Sequence, residues 1–443
     1  MLRILTALLT AALLAGAPVG FAGTGPIVIA AGKLSPQTGG GQVVSPPFNV
    51  KTYGAVGDGR ADDTSGVQGA IKAACAAGGG IVHLPRGTYK VTASGGKALN
   101  LQCSNVTLRG DGPVATRIAM ASATGDTIQI GTAGGHADAD NCKIEGLLFQ
   151  PSVTRTGGSE VFAPAFHNLT IRDVNLKSMY RGFYLGSPLG SVNIHMQGVW
   201  AEDFVNFAYF VRVIQGTLTN LNTWGRRSNS VNLHIDGYCE GLVFTGGLFF
   251  NDYSGTPSGS YNLVTGTEVV SRPSQFNYFY GCYFDWGNYA VVAQNAYSYT
   301  FTDCWFKGRT EDGVLLDSTA HEFTFKGNDF FNSAGSGLHI KGSSGHVITG
   351  NRFLNNGTAL ADSKGIKVTG AAAGIVITSN RIGHSGSPRV SDGGAGAQVY
   401  GVEIGASVTS FIVSHNDCRG NKTGAVNNLA GTSSVKIVAE NLF

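Results

Sequence analysis

A four-residue motif recurs along the second half of the chain, as Phe301–Cys304 (FTDC), Phe325–Asn328 (FKGN), Ile348–Asn351 (ITGN) and Ile377–Asn380 (ITSN). Each copy begins with an apolar or aromatic anchor, continues with a polar and a small residue, and ends on Cys or Asn. A spacing of 22 to 24 residues between consecutive anchors recurs and corresponds to one compact coil, and longer intervals of up to 36 residues indicate coils with inserted loops. A period in this range is typical of a solenoid. The twelve anchors are Leu108, Ile144, Ile171, Ile194, Leu218, Phe244, Phe279, Phe301, Phe325, Ile348, Ile377 and Val413.

The repeat predicts an all-β fold, a parallel β-helix solenoid of about twelve coils. Strand alternation places each anchor inside the rod and its polar neighbour outside, and coils about 4.8 Å apart give a rod roughly 55 Å long. Asn328, Asn351, Asn380 and Asn416 take one position of the repeat, where stacked amides can bond along the axis. Cys282 and Cys304 precede them at that position, and we expect them to be reduced.

The composition limits the classes of function. The 443 residues include 65 Gly, only 13% are charged, and the net charge is +3, so there is no basic footprint for nucleic acid. No apolar run reaches the roughly 18 residues of a membrane helix. The seven Cys are too few for a disulfide scaffold, their odd count leaves at least one free thiol, and none has zinc-site spacing.

The N-terminal residues have the pattern of a targeting segment. Arg3 precedes a short apolar run, and Gly20 to Ala22 offer a small-x-small cleavage site, so residues 1–22 are predicted to be a signal peptide. Residues 23–47 are rich in Gly, Pro and Ser and are interpreted as a flexible arm. Residues 48–443 then form a single β-helix domain, with residues 48–100 as its N-terminal cap. A secreted or periplasmic protein is expected.

The cap contains a predicted helix. Asp62, Asp63 and Thr64 are good N-cap residues, a helical face follows from Val67 to Cys75, and three glycines from Gly78 end it. This stretch of about 40 residues closely resembles the N-terminal signature of the pectate lyase superfamily domain, also described as rhamnogalacturonase- or epimerase-like. The matching residues are Val50–Lys51, Tyr53–Ala55, Gly57–Gly59, Asp62–Thr64, Ile71 and Gly79–Tyr89.

The resemblance implies a right-handed parallel β-helix whose N-terminal end is capped by the short helix. It is specific for the fold and much less so for the reaction, because phage tailspikes, lyases, epimerases and hydrolases resemble one another in this segment. The reaction must therefore be sought in the residues of the central coils.

In each coil a second strand lies about ten residues before the anchor, and its outward residues should stack into a row. Tyr184, Tyr209 and His234 are consecutive members and form a polar aromatic track. The loops that enter these strands bring further candidates, among them Arg226, Arg227, Asp252 and Asp285, and the central coils also contain the four Trp residues. Counting gives the row Tyr184, Tyr209, His234, Val269, Val291, Leu315, His339, Lys367 and Glu403.

A track of this kind suits an acidic carbohydrate chain. Aromatic rings cover sugar faces, with Tyr184, Trp224 and Trp286 as candidates, and Arg pairs bidentately with uronate carboxylates. β-Elimination on a uronate needs a base, an acid and a cation. Tyr209 or His234 can act as acid or base, and the cation can be supplied by Arg212, Arg226 or Arg227.

Hydrolysis instead needs two carboxyl groups that flank the bond, and the candidates are Asp203, Asp236, Asp252 and Asp285. The ordered motifs of the polygalacturonase family are absent, which lowers this alternative. The tyrosine-histidine-aspartate motif of alginate epimerases is also not evident, so epimerisation is a lesser option. Calcium can assist through oxygen ligands, but no spacing identifies a metal site.

The sequence thus predicts an exported enzyme that cleaves an acidic polysaccharide, with a uronate lyase ahead of a glycoside hydrolase. A non-catalytic glycan-binding or adhesin solenoid is the alternative from another class. The expected partner is the polysaccharide, with no nucleic acid and no membrane span, and the protein is expected to be a monomer or homotrimer.

Overall fold

A computed structural model describes residues 47–132, 139–252, 259–266, 272–383 and 398–443 of the chain, without the side chains of residues 188 and 189. The predicted signal peptide and nearly all of the predicted arm therefore lie outside the described residues. The described residues form 36 strands, a 3₁₀ turn at Val50–Tyr53 and a single α-helix, α1 (Thr64–Ala76). They complete about 13 turns of a parallel β-helix.

The strands follow the rod as three faces, each a ladder of parallel pairs between successive coils. Face A carries the anchors and consists of β1 (Phe48–Asn49), β3 (Gly80–Leu84), β6 (Val106–Gly110), the start of β9 (Lys143–Phe149), β13 (Glu240–Thr245), β17 (Tyr278–Tyr280), β21 (Thr300–Thr302), β25 (Thr324–Lys326), β28 (Val347–Thr349), β31 (Ile375–Thr378), β34 (Phe411–Ser414) and β36 (Lys436–Ala439).

Face B follows the anchors in each coil. It consists of β2 (Asp58–Asp62), β4 (Gly87–Val91), β7 (Thr116–Met120), the end of β9, β14 (Leu248–Asn251), β18 (Tyr283–Gly287), β22 (Trp305–Gly308), β26 (Asp329–Phe331), β29 (Arg352–Leu354) and β32 (Arg381–Gly383).

Face C completes each coil before the next anchor. It consists of β5 (Lys97–Leu101), β8 (Asp126–Ile130), β10 (Ser159–Ala163), β12 (Val231–Asp236), β15 (Tyr261–Thr265), β19 (Tyr289–Ala293), β23 (Val314–Leu316), β27 (Leu338–Lys341), β30 (Lys364–Thr369), β33 (Tyr400–Ile404) and β35 (Gly424–Asn428). A short row lies between faces C and A, made of β16 (Ser274–Gln275), β20 (Ala296–Tyr297) and β24 (Ala320–His321).

One extended run, β11 (His167–Gly225), passes through all three faces without a break in its ladder bonds. It turns where single residues adopt the left-handed conformation, among them Asp173, Asp203 and Asn220, at φ of 52°, 54° and 53°. Asp and Asn tolerate this conformation because their short polar side chains bond locally. The corners of the central coils are therefore built without long loops.

The predicted anchors form the core. Phe279, Phe301 and Phe325 are fully buried and stack with ring centroids 4.8 and 5.3 Å apart. The row of anchors also continues beyond the twelve counted in the sequence, to Val82 before Leu108 and to Val438 after Val413. This extension explains why about 13 turns form where twelve coils were predicted.

The amide ladder is confirmed and runs one coil further, to Asn441. Asn351 shows the pattern: its Nδ2 donates to the carbonyl of Phe325 and to Oδ1 of Asn380, and its own Oδ1 accepts from Asn328. The ladder satisfies buried polar groups that would otherwise be left unpaired at each corner. Cys282 and Cys304 precede it as free buried thiols, as predicted.

The cap helix forms as predicted, but its two Asp residues accept hydrogen bonds from different segments. Asp62 Oδ1 accepts from the backbone N–H of Thr64, whereas Asp63 turns away and accepts from Val56 and Gly57 in the preceding loop. A disulfide between Cys75 and Cys103 joins α1 to the first coil. That pairing had no signal in the sequence, because it depends on how the helix packs against the rod.

Counting placed two members of the face C row wrongly. The register pairs His234 with Val264 and Val264 with Val292, in place of Val269 and Val291. The loop that lengthens this coil lies after β15, so a count from the next anchor overshoots the strand. Val291 points into the core and is fully buried, and Val269 lies outside the described residues.

Candidate functional site

Face C carries a continuous row of aromatic rings on successive coils. Tyr184 stacks on Tyr209 with ring centroids 5.1 Å apart, and His234 follows at 4.9 Å. Phe162 extends the row on the other side, 5.4 Å from Tyr184. Parallel register produces this arrangement, since Phe162 pairs with Tyr184 and Tyr209 pairs with His234. We call these four residues the tyrosine row.

An acid lies beside the row. The Tyr209 hydroxyl donates to Oδ2 of Asp236 at 2.5 Å. Asp236 ends β12, where it pairs with Val211, and its side chain is fully buried. The hydroxyl of Tyr209 therefore has a carboxylate to which its proton can pass.

Arg181 is a cation that lies over the tyrosine row, and the sequence reasoning missed it. Its guanidinium carbon lies 5.0 Å from the Tyr184 ring and 5.5 Å from the Tyr209 ring. The charge of Arg181 also acts on the carboxyl of Asp126, whose pKa is nevertheless raised by burial. Arg181 precedes Tyr184 by three residues on the same strand. Its side chain extends over rings of two successive coils, and residue counting does not show the direction of a side chain.

His234 is neutral in the folded protein. Its Nε2 lies 2.9 Å from Oδ1 of Asn206, while Nδ1 is buried with no hydrogen-bond partner. Burial, together with the charge of Arg181, lowers the pKa of His234 to about 3. His234 therefore serves the site as a neutral ring and hydrogen-bonding group, and it has no imidazolium proton to give up as an acid near neutral pH.

The structure does not bring the other predicted residues to this row. Trp224 is on face B, with its Nε1 3.3 Å from Oδ2 of Asp252 and the Arg226 guanidinium carbon 5.8 Å from its ring. Asp285 and Trp286 are also on face B, in β18. Trp224, Arg226, Asp252, Asp285 and Trp286 thus form a second surface, on a different face of the rod from Tyr209.

Two of the predicted arginines lie at corners of the rod. Arg227 donates to Oδ1 of Asp203 at 2.8 Å. Burial raises the pKa of the Asp203 carboxyl, but the bond and charge of Arg227 outweigh this effect, so that the pKa is lowered. Arg212 directly follows Val211, the register partner of Asp236, and adopts the left-handed conformation at φ 52°. Of the predicted cations, Arg212 is thus the one next to the Tyr209–Asp236 pair along the chain.

In the part of the chain that the structure describes, no group of three or more His, Cys, Asp or Glu residues is arranged to hold a metal ion. The same residues contain no helix long and apolar enough to cross a membrane.

Two family models match the chain. Residues 47–184 match the family described as "Rhamnogalacturonase A/epimerase, pectate lyase-like", and residues 268–442 match "Right handed beta helix region". The chain is therefore a right-handed parallel β-helix protein. The resemblance of its N-terminal segment to the pectate lyase superfamily is confirmed by the first match.

Relatives with curated descriptions come from Azotobacter vinelandii. Mannuronan C5-epimerase AlgE2 is 28% identical over 274 residues, which are 56% of this chain and 26% of the epimerase. Alginate lyase 7 is 58% identical over 45 residues, which are 10% of this chain and 5% of the lyase. The matched segments thus span about a quarter or less of these relatives.

Among solved structures, the A-module of mannuronan C-5 epimerase AlgE6 from the same organism superposes with a TM-score of 0.64. The alignment covers 89% of this chain and 98% of the module, with 21% identity. At this identity the similarity establishes the fold alone.

Proposed function

We propose that the protein processes an acidic polysaccharide on face C, with the tyrosine row as the sugar platform and Arg181, Tyr209 and Asp236 as the reacting centre. The observation that carries the proposal is the position of Arg181 over two stacked Tyr rings, beside a Tyr–Asp hydrogen bond. An arginine next to a sugar-sized aromatic platform suits a uronate carboxylate. The relatives described as a mannuronan epimerase and an alginate lyase support the substrate class.

The reaction we favour is β-elimination. Arg181 pairs with the uronate carboxylate, which stabilises the negative charge that develops when the C5 proton leaves. The Tyr209 oxygen takes the C5 proton while its own proton passes to Asp236. The electron pair of the C5–H bond forms the C4–C5 double bond, the C4–O4 bond breaks, and the leaving oxygen takes a proton back through Tyr209.

Epimerisation at C5 is the second candidate, and the relatives named as mannuronan epimerases favour it. Its first step is the same removal of the C5 proton. The two reactions differ in the fate of the carbanion, which in epimerisation is protonated from the opposite face of the ring and leaves the O4 bond intact. Arg181 and Tyr209 serve either outcome equally.

Hydrolysis and non-catalytic binding receive less support from the geometry. Hydrolysis needs two carboxyl groups on opposite sides of one bond. The candidates are dispersed, with Asp236 bonded to Tyr209, Asp203 bonded to Arg227, and Asp252 on face B. A non-catalytic binder would keep the tyrosine row and would not require Asp236 to accept a proton.

A panel assay separates these functions. Purified protein is incubated with polymannuronate, polyguluronate, polygalacturonate and a neutral glucan. Ultraviolet absorbance of an unsaturated uronate marks elimination, and a changed ratio of C5 epimers in the proton NMR spectrum marks epimerisation. New reducing ends without that absorbance mark hydrolysis. Binding with no product from any polymer would contradict an enzymatic role.

We also propose that the protein is exported, on the basis of the charged and apolar N-terminal residues. Export would bring the site to polymers outside the cytoplasm. Expression of the full chain followed by N-terminal sequencing tests this: a mature protein that begins near residue 23 supports cleavage, and an intact N-terminus in the cell contradicts it.

A further inference from the structure

A second aromatic row runs along the rod on face B. Trp200 and Trp224 have ring centroids 6.4 Å apart, Phe250 follows at 5.3 Å, and Trp286 follows Phe250 at 6.0 Å. All four side chains are half-buried, so each keeps part of its ring exposed. Three of the four Trp residues of the chain are in this row, which we call the tryptophan row.

Cations lie over the rings of the tryptophan row. The Arg226 guanidinium carbon is 5.8 Å from the Trp224 ring, and Lys307 Nζ and the Arg309 guanidinium carbon are 4.9 and 5.2 Å from the Trp286 ring. Trp286, Lys307 and Arg309 line a surface cavity of about 250 Å³. Polar side chains complete its lining, namely Asn332 and Thr358.

Acidic groups also border the row. Glu202 is 2.9 Å from Lys177 and 4.0 Å from Arg226, and Asp252 is engaged by Trp224. Asp285 adjoins Trp286 in β18. At the cavity itself two cations face one ring, which is the complement of a negatively charged, partly apolar ligand.

We propose that the tryptophan row is a second binding site for an acidic polysaccharide, separate from the reacting centre on face C. Successive rings belong to successive coils, and their centroids lie 5.3 to 6.4 Å apart, on the scale of the length that one pyranose adds to a chain. Each ring covers one sugar face, and Arg226, Lys307 and Arg309 bind carboxylates along the edge. The inference rests on the proposed function for the choice of an acidic polymer.

Two sites on different faces change how a long polymer is held. A chain bound at the tryptophan row has a raised local concentration at the tyrosine row, so the protein retains a polymer between reactions. A short oligomer gains nothing from the second site because it cannot reach both faces.

Electrophoresis through native gels that contain polymannuronate, or dextran as the neutral control, tests the site without any need for turnover. The charge variant is Lys307→Ser with Arg309→Ser. A matched control removes two exposed cations from face A, Lys143→Ser with Lys326→Ser. We expect retardation of wild type and control in the polymannuronate gel only, and a Kd about tenfold weaker for the charge variant.

Equal retardation of the charge variant and wild type would overturn the proposal, as would unretarded wild type in the acidic gel. Tyr209→Phe separates it from the proposed function, because that variant should lose turnover and keep its retardation. If retardation instead depends on Tyr209 and not on Lys307 and Arg309, the second site is wrong while the face C site stands. If no polymer is turned over but the charge variant loses retardation, the second site on face B stands and the proposed reacting centre on face C is wrong.

Discussion

The hydroxyl of Tyr209 donates to Oδ2 of Asp236 at 2.5 Å, although the two residues are 27 positions apart in the sequence. Stacking of coils makes them neighbours, and Arg181 from the preceding coil lies over the Tyr209 ring. Three coils therefore each supply one part of the proposed centre: a cation, a hydroxyl and a carboxylate. The predictions below follow from this arrangement and from the ladders that support it.

Replacement of Arg181 by Gln should weaken recognition of the uronate carboxylate. We expect a KM for the acidic polymer at least about tenfold higher and a lower kcat, with partial rescue by Arg181→Lys. The pKa of His234 should also rise, because the charge of Arg181 contributes to its depression. Steady-state kinetics and NMR titration of His234 measure the two effects. Unchanged kinetics in Arg181→Gln, with Arg419→Gln as the exposed control, would remove Arg181 from the site.

Buried neutral histidines should make the fold less stable in acid. Burial, with a further contribution from His321, lowers the pKa of His346 to about 3, against 6.5 for the free group. The unfolded chain therefore binds a proton that the folded chain does not, so stability is complete above about pH 6.5 and decreases as the pH falls toward 3. The slope is about 1.4 kcal/mol per pH unit for each such group.

Urea unfolding of His346→Gln between pH 4 and pH 7 tests this account. The variant should be less stable at pH 7, because it loses bonds to Phe323 and Ser343, but its stability should depend less steeply on pH. His195→Gln, at an exposed position, should keep the wild-type slope. Identical slopes in His346→Gln and wild type would contradict the assignment.

Removal of one rung of the amide ladder should be costly. Asn351→Ala leaves the carbonyl of Phe325 and the amide of Asn328 unpaired in the interior, so we expect a loss of roughly 3 kcal/mol in the free energy of unfolding. Lys326→Ala, an exposed change on the same face, should cost less than about 0.5 kcal/mol. Chemical denaturation of both variants provides the comparison, and equal stabilities would contradict a structural role for the ladder.

The cysteines should react only when the protein unfolds. Cys75 and Cys103 form a disulfide, and five buried cysteines are free. Burial raises the pKa of Cys142 to about 11 and that of Cys239 to about 12, which disfavours the reactive thiolates. A thiol reagent should therefore modify none of the five in the native protein, five after denaturation and seven after reduction. Rapid reaction of the native protein would show that the coils open locally.

Much of the fold can be predicted from the sequence because a solenoid repeats its environment. Phe301, Phe325 and Ile348 show the period directly, and Asn351 and Asn380 mark the corner at which amides stack. Counting back from an anchor fails where a loop lies between the face C strand and that anchor. Val264 therefore takes the place predicted for Val269.

The site is less predictable, because a count identifies the coil of a residue but not the direction of its side chain. Tyr184, Tyr209 and His234 can be predicted together because each takes the same outward position of face C on successive coils. Counting does not identify Arg181, because Arg181 is not a member of the row and instead lies over the rings of Tyr184 and Tyr209. Trp224 and Trp286 are grouped in the sequence analysis with the tyrosine track because they occur in the same coils, and the spacing does not show that a corner separates the two faces.

The removal of the C5 proton is the claim on which elimination and epimerisation both depend. Incubation with polymannuronate in heavy water, followed by proton NMR, measures it directly as deuterium at C5 or as an unsaturated chain end. We expect one of these signals from the wild type, and a rate at least about 100-fold lower from Tyr209→Phe. If no uronate polymer shows either signal with the wild type, or if Tyr209→Phe retains the full rate, the account of the reacting centre is wrong.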